Sequence, residues 1–328
     1  MERTDLMHHL PVVDVSALAD PDASAADRKR VATELGDACR DVGFFYVRNH
    51  GVPQAHRDRI FEQIARFFDL PTKKKMELFI GKSEHFSGYV PLGWEETAGL
   101  KDWHEGLDFR PPFPRNGTDS TLEAISLRDS IEWPIDPPGF QEALKTHWDQ
   151  MVQLGAQLAG GIALSLGLND SFLASFTRNP FCTMRVLHYP AHDGNRQGVG
   201  EGIGPHIDYG FLTILDQEGV SGLEVMNTTG DWIPVPSVPG SYIVNIGRVM
   251  QIWSNDRYLA TQHRVRGVRG DRYSLPFFYN PTFDAVIEPL PAFCSAENPP
   301  RYDPYCHGEF MAERLRAAFK TSPADLAT

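Results

Sequence analysis

Between residues 182 and 279 the sequence breaks into short β-prone runs, at 182–189, 207–215, 223–225, 232–235, 242–246, 263–268 and 273–279. Turn signals separate them at Gly204-Pro205, Glu218-Gly219, Gly230-Asp231, Pro239-Gly240, Asn255-Asp256 and Gly270-Asp271. Strands this short cannot bury a core singly. Turns at intervals of about 8–12 residues predict an antiparallel sandwich or barrel.

The chain ahead of these runs reads differently. Leu10-Pro-Val-Val-Asp-Val and Gly43-Phe-Phe-Tyr-Val predict strands. Between them, Val31, Leu35, Ala38 and Val42 repeat at helical spacing behind the cap pair Ser24 and Asp27. Ile60, Phe61, Ile64, Phe67 and Phe68 mark the buried side of a second helix, ending before Pro71. Residues 86–138, rich in Gly, Pro and Trp, resist assignment. A long helix is predicted from about 140 to 168 and a last one near 308–320, packed on the outside. The fold class is mainly β with flanking α, preceded by an N-terminal α/β region.

Charge and cysteine usage narrow the function. Against 31 basic residues stand 43 acidic ones, a net charge of −12. That balance disfavours non-specific nucleic-acid binding and docking on anionic lipid. Four cysteines, Cys39, Cys182, Cys294 and Cys306, stand far apart with no C-x-x-C pair. A disulfide framework or thiolate zinc site is therefore not expected, and a reducing, cytoplasmic setting is. Residues 1–10 hold no apolar signal-peptide core. The apolar stretch 151–168 is interrupted by Gln153, Gln157 and Ser165, as in a core helix. Gly198-Val-Gly-Glu-Gly-Ile-Gly fails the dinucleotide spacing, and Gly81-Lys82-Ser83 lacks the upstream glycine of a P-loop.

The twelve histidines need sorting by geometry. H-x-D occurs at His56/Asp58, His147/Asp149 and His206/Asp208, with a looser version at His307/Glu309. Positions i and i+2 diverge on a helix and share a face on a strand. The first two pairs fall in predicted helices and the fourth at a helix start, so those three read as surface residues. His206-Ile207-Asp208 enters a predicted strand, so both side chains face one way, and His263 opens another strand 55 residues later. Two histidines and one carboxylate on one face of a metal leave open positions, as in non-haem Fe(II) oxygenases. The plainer reading, a strand-end histidine satisfied by a neighbouring aspartate, stays open on spacing alone.

Arg272-Tyr273-Ser274 lies nine residues beyond His263, on the next strand of a plausible hairpin. An arginine fork with a hydroxyl on the same strand face suits a small carboxylate. By the same alternation Tyr189, Leu187, Arg185 and Thr183 share one face. Tyr189 is placed to help hold a cosubstrate carboxylate, and Arg185 either anchors an anionic part of the substrate or makes a structural salt bridge.

Taken in order, these segments resemble the isopenicillin N synthase-like family of Fe(II)/2-oxoglutarate dioxygenases, from about residue 10 to 319. The resemblance rests on Leu10-Pro-Val-Val-Asp-Val-Ser, Ala38-Cys-Arg-Asp-Val-Gly-Phe-Phe-Tyr-Val-Arg-Asn-His-Gly-Val, Phe67-Phe-Asp-Leu-Pro and Asp102-Trp-His-Glu-Gly-Leu-Asp-Phe. It continues in His206-Ile-Asp-Tyr-Gly-Phe-Leu-Thr-Ile-Leu, Gly222-Leu-Glu-Val, Val244-Asn-Ile-Gly, His263-Arg-Val and Arg272-Tyr-Ser-Leu-Pro-Phe-Phe.

The resemblance implies a double-stranded β-helix, or jelly roll, over 139–328, with 1–138 as the family's N-terminal region. It implies iron ligands His206, Asp208 and His263. Arg272 and Ser274 would hold the distal carboxylate of 2-oxoglutarate, helped by Tyr189, and Asn49-His50-Gly51 would be structural. Fe(II), 2-oxoglutarate and O2 are the expected cofactor and cosubstrates. Hydroxylation, desaturation or ring formation at an unactivated C–H bond of a small organic molecule is the expected reaction, releasing succinate and CO2. The substrate pocket would draw on residues 86–103, Arg185, Phe211, Phe278 and the C-terminal helix; an acidic group on the substrate would explain Arg185. Family habit points to a monomer and to secondary-metabolite biosynthesis. A short likeness of Met184-Arg-Val-Leu-His-Tyr-Pro to microbial ethylene-forming enzymes does not fix the reaction.

One departure stands out: Arg248 follows Gly247 where the family often has an acid. Two other functions compete. An iron oxidase of the isopenicillin N synthase type, working without 2-oxoglutarate, has a glutamine ligand near its C-terminus, and residues 302–328 contain no glutamine. A zinc hydrolase or non-oxidative metal-binding protein would accept the same three ligands but has no need of Arg272 and Ser274.

Overall fold

A computed structural model describes residues 10–97, 99–113, 128–191, 202–218 and 220–318. The N-terminal stretch 1–9 and the glycines at 198 and 200 lie outside them. Strand β1 (Val12–Asp14) and helix α1 (Ala25–Asp41) lead into β2 (Phe44–Arg48) and α2 (Gln54–Phe68). The region that resisted assignment supplies β3 (Gly88–Val90) and β4 (Glu105–Phe109). Helix α3 (Phe140–Ser165) is followed by β5 (Thr183–Tyr189), β6 (Ile203–His206), β7 (Leu212–Gln217), β8 (Leu223–Met226) and β9 (Trp232–Pro234). The chain closes with β10 (Ser241–Ile246), α4 (Arg248–Trp253), β11 (His263–Val265), β12 (Arg272–Tyr279) and α5 (His307–Ala318).

Helix α1 begins as its sequence dictates. The Ser24 hydroxyl accepts from the Asp27 amide at 3.1 Å, closing the first turn. None of the described helices is long and apolar enough to cross a membrane.

Among the described residues the strands form an eight-stranded sheet, in the order β1-β2-β10-β7-β12-β5-β4-β3, and a four-stranded sheet, β9-β8-β11-β6. β1 and β2 run parallel; the other pairs of the large sheet are antiparallel. The two sheets stack as a jelly roll, with the helices over the other face of the large sheet.

Side-chain alternation explains why that sheet can serve two interiors. On β2, Phe45 and Val47 enter the core under the helices, while Phe44 and Tyr46 meet the small sheet. On β12, Leu275, Phe277 and Tyr279 pack under the helices. Arg272, Ser274, Pro276 and Phe278, between them, face a cavity of about 1500 Å³ between the sheets. β1 to β4 belong to the same sheet, so the N-terminal region builds part of this wall.

Two details differ from the sequence reading. β6 spans Ile203–His206, with Pro205 inside it, and ends at the histidine. A proline survives there because β6 is the edge of its sheet. Ile207 and Asp208 lie in the loop to β7, not on a strand. β11 and β12 belong to different sheets, so His263 and Arg272 are not hairpin partners but face each other's sheet across the cavity.

Candidate active site

His206 and His263 meet because β6 and β11 pair antiparallel, with the two residues directly opposite. Their ring centroids are 4.2 Å apart. Asp208 arrives from the loop, its Oδ1 lying 3.8 Å from His206 Nε2 and 3.6 Å from His263 Nε2. One ligand atom from each lies within 4.8 Å of the others.

The surroundings leave all three free to donate to a metal ion. His206 Nδ1 is 2.8 Å from the Gly204 carbonyl and His263 Nδ1 is 3.1 Å from that of Thr261. A carbonyl only accepts, so each Nδ1 carries the proton and each Nε2 turns a lone pair to the shared point. Burial pushes the His263 imidazole down to about 4. The other oxygen of Asp208, Oδ2, accepts from Thr213 Oγ1 and from Asn245 Nδ2 at 2.7 Å, which fixes the carboxylate. Nitrogen and oxygen donors on one side of a point, with room opposite, fit a non-haem iron.

The loop carrying Asp208 is fastened by the start of α4. The amides of Gly247, Arg248 and Val249 donate to the carbonyls of Phe211, Asp208 and Gly210 at 2.9, 2.8 and 3.0 Å. Arg248 acts here through its backbone, while its guanidinium sits 5.8 Å from the Tyr302 ring centroid. The unusual cation therefore does not disturb the cluster of His206, Asp208 and His263.

Arg272 is 1% exposed. Its Nη2 donates to Gln217 Oε1 at 2.8 Å, and the guanidinium carbon lies 4.7 Å from the Tyr189 ring centroid. Nε and Nη1 are buried without a hydrogen-bond partner. Burial holds this guanidinium below its usual value. Ser274 and Tyr189, both buried, line the same end of the cavity. Two unsatisfied donors on a buried cation are costly unless an anion completes them, and a small carboxylate fits.

The rest of the cavity wall is formed by Trp94, Glu95, Thr97, Asp102, His104, Asp108, Phe278, Met311 and Leu315, among others. The residue 86–103 region and the C-terminal helix thus contribute as expected, although Phe86 itself packs elsewhere with Phe79, Ile80 and Val90. Arg185 lines the cavity with both flanks engaged: Nε donates to Asp108 Oδ1 at 2.8 Å and Nη2 to Glu95 Oε2. The salt-bridge alternative describes it, and it is not a free anion anchor. Phe211 does not belong to the expected substrate pocket. It is fully buried beneath the large sheet, 5.3 Å from Trp253 and 6.2 Å from Tyr279 between ring centroids, and does not line the cavity.

The remaining histidine pairs are not uniformly surface residues. His147 and His307 are completely buried. His50 is buried too, its Nδ1 accepting from the Val52 amide at 3.2 Å beside Tyr242, consistent with a structural role. Thr213 and Asn245, which hold Asp208, lie inside the motif segments 206–215 and 244–247 without having been singled out, and Gln217, which holds Arg272, lies in none; its inward position on β7 was the only signal.

Residues 180–281 match the 2OG-Fe(II) oxygenase superfamily, and residues 10–135 match the family described as non-haem dioxygenase in morphine synthesis N-terminal. The chain is 32% identical over 323 residues to homoarginine-6-hydroxylase 2-ODD-233 of Oryza sativa subsp. japonica, covering 94% of this chain and 97% of that protein. It is 30% identical over 331 residues to the 1-aminocyclopropane-1-carboxylate oxidase of Dictyostelium discoideum, covering 90% and 89%. The crystal structure of a full-length Neurospora crassa protein in complex with alpha-KG superposes with a TM-score of 0.81 at 26% identity, covering 97% of this chain and all of that one.

Proposed function

The chain belongs to the 2OG-Fe(II) oxygenase superfamily as a 2-oxoglutarate-dependent dioxygenase, and from that premise we propose that it oxidises an unactivated C–H bond of a small organic molecule, with hydroxylation as the default outcome. Within the superfamily we place it among the isopenicillin N synthase-like enzymes, on the order of its motifs. The observation that carries the reading is the pairing of a three-ligand cluster with a buried arginine whose Nε and Nη1 have no partner.

His206, Asp208 and His263 would hold Fe(II) from one face, leaving the opposite positions open. Bound iron and 2-oxoglutarate supply the oxidising power, the cosubstrate leaving as succinate and CO2. The protein's part is positioning. Thr213 and Asn245 keep Asp208 from rotating. Arg272, with Ser274 and Tyr189, would grip the distal carboxylate of 2-oxoglutarate, and Leu187, Leu223 and Val265 line the cavity with apolar surface that excludes water. Phe278, Met311 and Leu315 offer apolar surface to the substrate at the other end. Residues 1–138 then supply much of the substrate wall, and 139–328 supply the ligands and the cosubstrate grip.

The test is anaerobic: Fe(II) is added to the purified protein, then 2-oxoglutarate, and the visible spectrum recorded. A weak charge-transfer band that is absent in His206→Ala and needs far more 2-oxoglutarate in Arg272→Ala is the expected result. Iron bound with no band would sink the proposal and favour an oxidase without 2-oxoglutarate.

A further inference from the structure

Arg110 repeats, at the opposite end of the cavity, the bonding state of Arg272. It lies just past β4 and is 4% exposed. Its Nη2 donates to Asp108 Oδ2 at 2.9 Å, while Nε and Nη1 are buried with no hydrogen-bond partner. Burial holds the guanidinium below its usual value, as for Arg272. Both side chains line the one cavity. They point there for the same reason: Asp108 and Arg110 continue the inward row of β4, opposite Arg185 of β5.

The neighbouring carboxylates are engaged elsewhere and do not reach the spare donors of Arg110. Asp108 divides its oxygens, Oδ1 to Arg185 and Oδ2 to Arg110. Glu95 Oε2 is shared by Arg185 Nη2 and His104 Nε2. Glu95, Asp108, Arg110 and Arg185 therefore form a chain of alternating charge whose cationic end has two nitrogens left over. A planar oxyanion is the group that two such nitrogens recognise best.

We propose that Arg110 is the substrate's anion receptor and that the substrate carries a carboxylate. This rests on the reading of Arg272 as the cosubstrate grip, which leaves the Arg110 end for the substrate. The cavity would then present one carboxylate to each arginine, the distal one of 2-oxoglutarate to Arg272 and that of the substrate to Arg110, with the reacting C–H bond of the substrate between its own carboxylate and the metal ligands.

Simple acids and their amides suffice to test the proposal. The Fe(II) protein, anaerobic and saturated with 2-oxoglutarate, is titrated by ligand-observed NMR with pentanoate and phenylacetate, and with the primary amides of both. Wild type is expected to bind the acids at least about 10-fold more tightly than the amides, roughly what one charge-assisted contact contributes. In Arg110→Gln that preference should vanish while the affinity for 2-oxoglutarate, titrated separately, stays within about twofold. Asp108 keeps Arg185 in this variant, which limits damage to the fold. Arg110→Lys, which keeps the charge and a bond to Asp108 but loses the spare nitrogens, should retain only part of the preference.

A wild-type protein that binds acids and amides alike overturns the proposal, as does a preference that survives in both variants. If Arg110→Gln misfolds, an undiminished preference in Arg110→Lys is decisive against it. Failure of 2-oxoglutarate to bind wild type would instead bring down the cosubstrate assignment, a separate result.

Discussion

Gly247 lies so close to Gly210 that a Cβ on it would stand 2.1 Å from the Gly210 carbonyl oxygen. That oxygen belongs to the loop that delivers Asp208, and the amides at the start of α4 hold the same loop. Gly247 has an ordinary extended backbone, so space and not torsion demands glycine.

Gly247→Ala is therefore expected to push the 208–211 loop away and displace the carboxylate. Fe(II) affinity should fall by at least about 10-fold, the scale on which metal sites respond to their supporting residues, with the far-ultraviolet spectrum unchanged. Metal retained after gel filtration checks this; full retention would mean that the loop yields without moving Asp208.

Asn245→Ala and Thr213→Val each remove one hydrogen bond from Asp208 Oδ2. Either change should weaken Fe(II) binding by about 10–100-fold, and the double variant should lose less than the product, because both bonds fix one carboxylate. Strict additivity in metal titrations would show that the two residues act separately.

Arg57 of α2 clasps Asp216 of β7 beneath the large sheet, with Nε 2.9 Å from Oδ2 and Nη2 on Oδ1. Arg57→Ala leaves a buried carboxylate alone and should cost about 3–5 kcal/mol of stability. Chemical denaturation measures it. A loss below about 1 kcal/mol would mean that Asp216 takes up its proton or a water without strain.

His307 is fully buried, and burial pushes its imidazole down to about 4. The unfolded chain takes up a proton near pH 6.5 that the folded one refuses until about 4, so stability is full above 6.5 and falls as the pH drops between those values. The contribution is about 3 kcal/mol. His307→Phe should flatten the acid limb of the melting temperature between pH 6.5 and 4. An unchanged limb would assign acid sensitivity to His147 and His50, whose imidazoles burial also lowers, to about 3 and about 4.

Period-two alternation made the inward row of β12 and that of β5 legible, because both faces of a buried strand follow from one residue. That His206 and Asp208 come together was legible too, but for a wrong geometric reason. The aspartate reaches the histidines from a loop, and no alternation rule applies beyond a strand's end. Phe211 misled because its loop turns it beneath the sheet. His147 could have been read correctly: with Ala143, Leu144, Trp148 and Met151 it completes the buried stripe of α3. Arg110 was hidden in a segment without periodicity, where only the observed pairing of β4 with β5 identifies the inward row.

The two-sided use of β12 sets a rule for its length. Deleting a single residue within Arg272–Tyr279 would exchange the faces of everything beyond it, sending aromatic rings toward the cavity and polar groups under the helices. A two-residue deletion would keep each side chain on its own side and only shorten the reach. Length changes in this strand preserve the sorting of its side chains only in even steps, and a chain that packs its greasy face correctly has already set the spacing of its cavity-facing one.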